Sequence, residues 1–313
     1  MNESVTVVIA CYNHVEYLEE ALDSVKSQTM LPAQLIVTDD ASSDGSADLI
    51  AGWLADNWPD AVFIRNQNNQ GFPATLNLAI PHVTGTFLAI MSADDQMCED
   101  RLELQARALM AWPEAGMVYS DMLEVRPDGE LTGQRWFDSD RQGPALPPTS
   151  QPGSPVDLYL PMLERAFISA PTVLMRTAAL REAGCYDEHL IAEDYDMFLR
   201  LSRSWYWVYL PEPLVIYRVL PTSLARSEGF RANLRAGRIH LLRKHLGSDR
   251  SGDRIIARRV GRMASGLYQE GERGPKDSWR DLLLAFRLCP SLRIGILLCG
   301  SLLRVPGPWL VRH

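Results

Sequence analysis

Asp94 and Glu193, 99 residues apart, each begin a pair of adjacent carboxylates, Asp94-Asp95 and Glu193-Asp194. The first pair closes Ser92-Ala93-Asp94-Asp95 directly after the apolar run Phe87-Leu88-Ala89-Ile90-Met91, and the second opens Glu193-Asp194-Tyr195-Asp196. Carboxylates at two separate points of a chain suit a reaction in which two charges are handled. One point can hold a divalent cation against a diphosphate, and the other can take a proton from an attacking hydroxyl. A single Asp is more often a helix cap or a turn residue, so the weight rests on what surrounds these pairs.

The elements that position them alternate in type. Val5 to Ala10 is a continuous, β-branched apolar run of the kind buried in a parallel sheet, and Val15 to Gln28 follows with helical spacing. Further strands are predicted at Leu35 to Val37, Val62 to Ile64, Phe87 to Met91 and Met117 to Tyr119. Helices are predicted from Ser46, which reads as a cap, from Pro73 to Ile80 and from Arg101 to Met110. Such alternation predicts an α/β fold with a mainly parallel, doubly wound sheet and ligands at the strand C-termini. Each strand of this half does end in polar residues: Tyr12-Asn13, then Asp39 to Gly45, then Asn68 to Gly71, then Asp94-Asp95.

Beyond 140 the pattern changes. Gly143 to Pro155 holds five prolines and reads as a loop or flap. Thr172 to Met175 reads as a strand, Thr177 to Ala183 and Tyr195 to Leu201 as helices, and Trp205 to Leu210 and Leu214 to Arg218 as edge strands. Core packing is the expected role for Trp136 and for Trp205 to Trp207, and His14 reads as a turn residue.

The bulk numbers divide the chain. Its 46% hydrophobic and 22% charged residues are ordinary for a globular protein. Residues 1–225 carry 13 Lys/Arg and 32 Asp/Glu, whereas 226–313 carry 18 and 7, net −19 against +11. This predicts a catalytic domain over 1–225, with a nucleotide half at 1–120 and an acceptor half at 121–225, followed by a helical, Arg-rich region at 226–313. Apolar runs between the arginines favour an anionic membrane surface as a partner over nucleic acid. The longest, Ile294 to Leu303, has 10 residues, too few to span a bilayer. Five cysteines without paired spacing suit a reducing compartment, and the N-terminus enters a strand with no leader pattern. A cytoplasmic protein, peripheral at the inner face of the plasma membrane, is expected.

Five blocks in order carry a resemblance: Val5 to Asn13, Asp39 to Asp44, Asn69-Gln70-Gly71, Ser92 to Asp95 and Glu193 to Asp196. Together they resemble the family-2 glycosyltransferases of GT-A fold, over roughly residues 4–225. Thr172 to Arg176 and Gly184 to Asp187 also resemble that family's approach to its second acidic block, and Tyr217-Arg218 with Thr222-Ser223 its closing segment.

The resemblance implies an inverting transfer of one sugar from a nucleotide-sugar, a UDP-sugar first, to a glycan or lipid-linked acceptor in surface-polysaccharide synthesis. Asp40 would accept a hydrogen bond from the uracil N3–H, with Asp39 shaping the pocket. Tyr12, Asn13, Gly71 and Asn77, with the backbone at Ala10 and Ala93, would line the nucleotide. Asp94, with Asp95 beside it, would hold Mn²⁺ or Mg²⁺, which suits a carboxylate and phosphate site. Asp194 would be the general base and Glu193 an orienting residue on the acceptor side.

Three positions depart from the family pattern. Ala10 stands where Pro is frequent, Leu76 precedes Asn77 where Arg is frequent, and Ser92 replaces an acid. The Gln-x-x-Arg-Trp motif of processive members is not matched by Leu201-Ser202-Arg203-Ser204-Trp205, which points to single transfer. Two other classes compete. A sugar-nucleotide pyrophosphorylase would want a Gly-rich phosphate loop where Cys11-Tyr12-Asn13-His14 stands, and a non-catalytic binder on a decayed scaffold would not need Asp194.

Overall fold

The computed structural model describes residues 3–137, 150–221, 230–247 and 249–306. Most of the Pro-rich flap, the Thr222-Ser223 pair and the last seven residues lie outside these. The described chain forms two compact units: residues 1–158, 167–188 and 197–220 in the first, and 159–166, 189–196 and 221–313 in the second. This grouping differs from a single division at 225, since 159–166 and 189–196 are counted with the C-terminal helices.

The first unit is built on one sheet. Strand β1 (Val5–Cys11) has all seven residues buried, as its unbroken apolar run requires. It pairs in parallel with β2 (Gln34–Asp39) on one side and with β4 (Phe87–Ser92) on the other. β3 (Val62–Arg65) lies parallel beyond β2. Chain order therefore reverses at β1, the place where open α/β sheets bind ligands. Helices α1 (Val15–Lys26), α2 (Ser46–Asn57), α3 (Phe72–Ala79) and α4 (Arg101–Ala111) fall where helical spacing was read. Leu18, Leu22 and Val25 of α1 are fully buried in the core under β1.

The rest of the sheet is mixed. The order runs β3-β2-β1-β4-β9-β6-β10-β5, and β9 (Val173–Arg176) is antiparallel to both β4 and β6 (Ala115–Val125). A four-residue apolar run carries no direction in its pattern; long-range bonds supply it. Thr177 donates its N–H to the Thr86 carbonyl at 2.9 Å, and Arg176 Nε to the Ala115 carbonyl at 2.8 Å. The two expected edge strands are in fact one, β10 (Tyr206–Arg218), parallel to β6. Pro211 and Pro213 sit at its register shifts, a bulge that keeps the strand running where the sequence suggested an end. Trp207 is fully buried in an edge-to-face cluster with Tyr119 and Phe198, and its Nε1 donates to Ser202 Oγ at 2.7 Å. Short strands complete the sheet: β5 (Gln96–Met97) and β8 (Pro155–Val156) against β10, and β7 (Leu131–Arg135) against β6.

The second unit is helical, as its composition predicted. α5 (Tyr159–Glu164), α8 (Phe230–Lys244), α9 (Arg250–Gln269), α10 (Pro275–Leu288) and α11 (Leu292–Leu302) belong to it. Asp249 caps α9 by accepting from the Ser251 and Gly252 N–H groups, and Ser291 caps α11. α9 and α10 approach so closely at Gly261 that a Cβ there would meet Ala285 Cβ at 2.5 Å. Among the described residues no helix is long and apolar enough to cross a membrane.

Candidate functional site

The register of β1 sets the first site. Cys11 stands opposite Asp39, and Ala10 opposite Ser92, so the loops after β1, β2 and β4 emerge together. The first two loops brace each other. Asn13 donates its N–H to Ser42 Oγ at 2.9 Å, and its Oδ1 accepts from the Ser43 N–H at 2.9 Å. Val15 N–H reaches Asp44 Oδ2 at 2.9 Å, while Asp44 Oδ1 accepts from the Ser46 N–H at 3.0 Å and hydroxyl at 2.6 Å. Asp44, not Ser46, thus holds the start of α2. Burial pushes the Asp44 carboxyl up, but the Ser46 hydroxyl and the Val15 and Ser46 amides outweigh it, and the net shift is downward.

Asn13 (φ 55°) and Ala41 (φ 61°) both occupy the left-handed region, which costs on the order of 1–3 kcal/mol each unless the surroundings enforce it. The bonds between the loops do so. One consequence is that Tyr12 is presented to solvent, 46% exposed, instead of packed.

The two carboxylates after β2 have different partners. Asp40 Oδ1 accepts from Asn66 Nδ2 at 2.8 Å and from the Gln70 N–H at 2.9 Å, and its Oδ2 accepts from the Gly71 N–H at 2.9 Å. Gly71 reaches it at φ 87°, ψ 156°, a conformation essentially closed to a residue with a Cβ. Asp39 Oδ2 accepts from the Ser42 N–H at 3.1 Å, while its Oδ1 is buried with no hydrogen-bond partner. Both Asp40 oxygens thus meet protein donors, and the buried oxygen left without one is on Asp39, beside the residue expected to take the uracil N3–H. Asn77 also departs from expectation. Its Nδ2 donates to the Tyr186 carbonyl and to Glu188 Oε1, and its Oδ1 accepts from the Tyr186 N–H, so it ties α3 to residues 186–188 and has no amide group left for a nucleotide.

The turn after β4 begins with the Ala93 N–H donating to the Ala10 carbonyl at 3.0 Å. Asp95 was expected beside Asp94 as a ligand. It is 2% exposed, and its Oδ1 accepts from the Arg218 N–H at 3.1 Å. Burial first, and then the charge of Asp94, raise its carboxyl well above the usual range. It is a strut. Arg218 completes the brace: Nε donates to the Asp94 carbonyl at 3.2 Å, Nη2 pairs with Glu20 at 2.6 Å, and the guanidinium lies over the Tyr17 ring. Asp94 keeps a partly exposed carboxylate, with Oδ1 3.6 Å from His14 Nδ1. His14 is thus no mere turn residue. Its only signal in the sequence was its place after Tyr12-Asn13.

The second acidic pair belongs to the helical unit. α7 (Glu193–Leu201) starts with three acids in its first turn, a sequence suited to a helix N-terminus. Asp194 Oδ1 accepts from the Tyr195 N–H at 2.7 Å. Burial raises the Asp194 carboxyl, an effect the Tyr195 amide and the charge of Arg238 only partly offset. Burial, with Asp194 beside it, pushes Glu193 up to about 8. Around them, the Tyr195 hydroxyl donates to the Met162 carbonyl, and Arg259 Nη1 contacts that hydroxyl and the Leu163 carbonyl. Asp196, fully buried, is paired with Lys244 at 3.1 Å and His245 at 3.4 Å. Arg238, one of many arginines in its segment, had no pattern that could single it out.

The sequence profile of Glycosyl transferase family 2 matches residues 6–148. EpsE of Bacillus subtilis strain 168 is 30% identical over 209 residues, covering 66% of this chain and 69% of its own. The chain belongs to glycosyl transferase family 2. Another family relative, the chondroitin synthase of Pasteurella multocida, is 25% identical over 201 residues, 63% of this chain but only 19% of the synthase; the chain spans about a fifth of that protein. Among solved structures, TarS 1–349 of S. aureus in complex with UDP-GlcNAc superposes with a TM-score of 0.68 at 15% identity, over 98% of this chain and 89% of that one. The mannosyltransferase PcManGT of Pyrobaculum calidifontis, in complex with GDP-Man and Mn²⁺, superposes with a TM-score of 0.59 at 18% identity, over 100% and 83%. The family-2 chain therefore has the GT-A fold with a helical C-terminal region.

Whether its residues fit a divalent cation can be tested on the turn after β4. Among the described residues no group of three or more His, Cys, Asp or Glu side chains is placed to hold a metal. What is present is one partly exposed carboxylate, Asp94, and beside it a buried, unpartnered imidazole nitrogen. That fits a cation held jointly by few protein ligands and by the oxygens of a bound phosphate.

Proposed function

We propose that this chain is an inverting glycosyltransferase that moves one sugar from a nucleotide-sugar, a UDP-sugar first, onto a glycan or lipid-linked acceptor in cell-surface polysaccharide synthesis. The observation that carries the reading is the orphaned Asp39 Oδ1, buried at the end of β2 opposite Cys11, the residue before the exposed Tyr12. A buried acceptor without a donor costs about 1–3 kcal/mol, and the imide N3–H of uracil supplies the donor while Tyr12 covers the base. Asn13, Gly71 and the backbone at Ala10 and Ala93, where the Ala93 N–H donates to the Ala10 carbonyl, would line the nucleotide.

Asp94 would hold Mn²⁺ or Mg²⁺, which supplies neutralisation of the charge that develops on the departing nucleoside diphosphate. Asp194 would take the proton from the acceptor hydroxyl, and its raised carboxyl is a better base than an ordinary one once ionised. Glu193, protonated at neutral pH, would donate a hydrogen bond and orient the acceptor. TarS, solved in complex with UDP-GlcNAc, and PcManGT, solved in complex with GDP-Man and Mn²⁺, support a nucleotide-sugar donor and a divalent cation.

The C-terminal helices suit an anionic membrane surface as a further partner. Residues 282–313 hold four arginines and no acid, and α10 and α11 bear an apolar groove of about 780 Å³ lined by Phe286, Leu292, Ile296 and Leu303. Such a face would keep the enzyme beside a lipid-linked acceptor at the inner side of the plasma membrane.

Calorimetric titration with UDP, with and without Mn²⁺, on wild type and Asp94→Ala tests the core of this reading. Binding that Mn²⁺ strengthens in wild type but not in the variant is the expected result. No UDP binding under either condition would overturn the uridine assignment.

A further inference from the structure

We propose that His14 Nδ1 is the second protein ligand, with Asp94, of the divalent cation at the donor site. This rests on the reading of Asp94 given above and adds a residue and a metal preference to it. Three observations meet here. His14 Nδ1 is buried and has no hydrogen-bond partner. A buried nitrogen left this way is costly on a side chain that is otherwise 24% exposed, and a metal ion would satisfy it. Its neighbour is Asp94 Oδ1 at 3.6 Å, too far for a hydrogen bond but close to the spacing of two ligands on one ion. Ligands about 2.1 Å from a metal and at right angles to each other stand about 3.0 Å apart, a gap that small side-chain rotations close.

Both residues are also held from behind. The His14 carbonyl accepts the Tyr17 and Leu18 amides at 3.0 Å each, which fixes the start of α1. Asn13, locked at φ 55° by Ser42 and Ser43, sets the direction in which His14 leaves β1. The Asp94 backbone is pinned by Arg218 Nε, and Asp95 next to it by the Arg218 amide. With Asp95 spent as a strut and Ser92 at the end of β4, Asp94 alone would be a weak anchor for a cation. One imidazole and one carboxylate form a different site from two carboxylates. Nitrogen ligation favours Mn²⁺ or Co²⁺ over Mg²⁺, which prefers an all-oxygen shell. The chain would therefore discriminate among divalent cations through a residue of its nucleotide loop.

The test uses the full chain with ¹⁵N-labelled histidine, Mn²⁺ and UDP. Electron spin-echo envelope modulation of the bound Mn²⁺ should show coupling to ¹⁵N, and the coupling should vanish in His14→Ala. Mn²⁺ affinity in the presence of UDP should fall about tenfold to a hundredfold in that variant, while Mg²⁺ affinity falls less. Thermal melts of the variant without metal establish that it is folded. Wild type that binds Mn²⁺ with UDP but shows no ¹⁵N coupling overturns the proposal and leaves the donor reading standing. Coupling that persists in His14→Ala assigns the nitrogen to another histidine and overturns it equally. Wild type that binds no UDP with Mn²⁺ overturns both.

Discussion

The carboxylates after β2 and those that open α7 are equally acidic in sequence and differ in how much of their charge is met by protein donors. Asp40 and Asp44 are each given three hydrogen bonds from neighbouring loops, and Asp44 sits below its ordinary pKa as a result. Asp194 accepts from the N–H of the next residue, Tyr195, and both it and Glu193 are raised by burial. The first group is held rigidly by its donors, while burial favours the protonated form of the second. A binding site gains from the former, since loops already ordered lose little entropy when a ligand arrives. A proton-transfer site gains from the latter, because a carboxylate near its pKa can both hold and release a proton.

The sharpest way to test that contrast is Asp194→Asn. It keeps the size and the bond to Tyr195 but removes the base, and kcat should fall about 10³- to 10⁴-fold. UDP affinity should stay within about twofold of wild type, as read by calorimetry. A parallel loss of UDP binding would show that the acidic pair serves the donor. In wild type, the acid limb of kcat should lie above the ordinary carboxylate range, because an Asp194 raised by burial loses its charge at a higher pH as pH falls.

The next contrast lies inside the nucleotide half. Asp39→Asn replaces the orphaned oxygen's neighbourhood with an amide that can present a donor, and UDP affinity should fall about tenfold to a hundredfold while the melting temperature changes little. Asp40→Ala should reverse the pattern. It strips partners from Asn66, Gln70 and Gly71 and should cost about 2–4 kcal/mol of stability by urea denaturation. Equal effects on binding in both variants would mean that the two carboxylates share the ligand.

That pair also marks the limit of what the sequence could disclose. The strands β1 to β4 were legible because each is an apolar run ending in polar residues, and the acid-bearing loops followed from that. Which of two adjacent acids is spent on the fold was not legible. Asp40 is occupied by a loop 31 residues on, at Gly71; Asp95 by Arg218, 123 residues on; and Asn77 by Tyr186, 109 residues on. Pattern reading over a window of one or two turns contains none of these partners. The antiparallel β9 and the continuity of β10 through Pro211 and Pro213 were hidden for the same reason, since register is a property of two strands. His14 had no periodicity at all, and only Asp94 on the neighbouring strand's loop gives it meaning.

Glu193→Gln should produce the smallest effect and the one with the most specific pH signature. A carboxyl whose folded pKa is raised from 4.5 to about 8 binds its proton more tightly in the fold than in the unfolded chain. Its stabilising contribution is therefore complete below the unfolded value and is withdrawn as pH rises through the folded one. Glutamine keeps the neutral shape and does not titrate. The variant should match wild type near pH 4 and exceed it increasingly toward pH 8, where the gain reaches about 2 kcal/mol once partial contact with water is allowed for. Melts of both proteins across that range read the difference directly. A gain that is constant with pH would mean that Glu193 does not hold the proton that burial assigns to it.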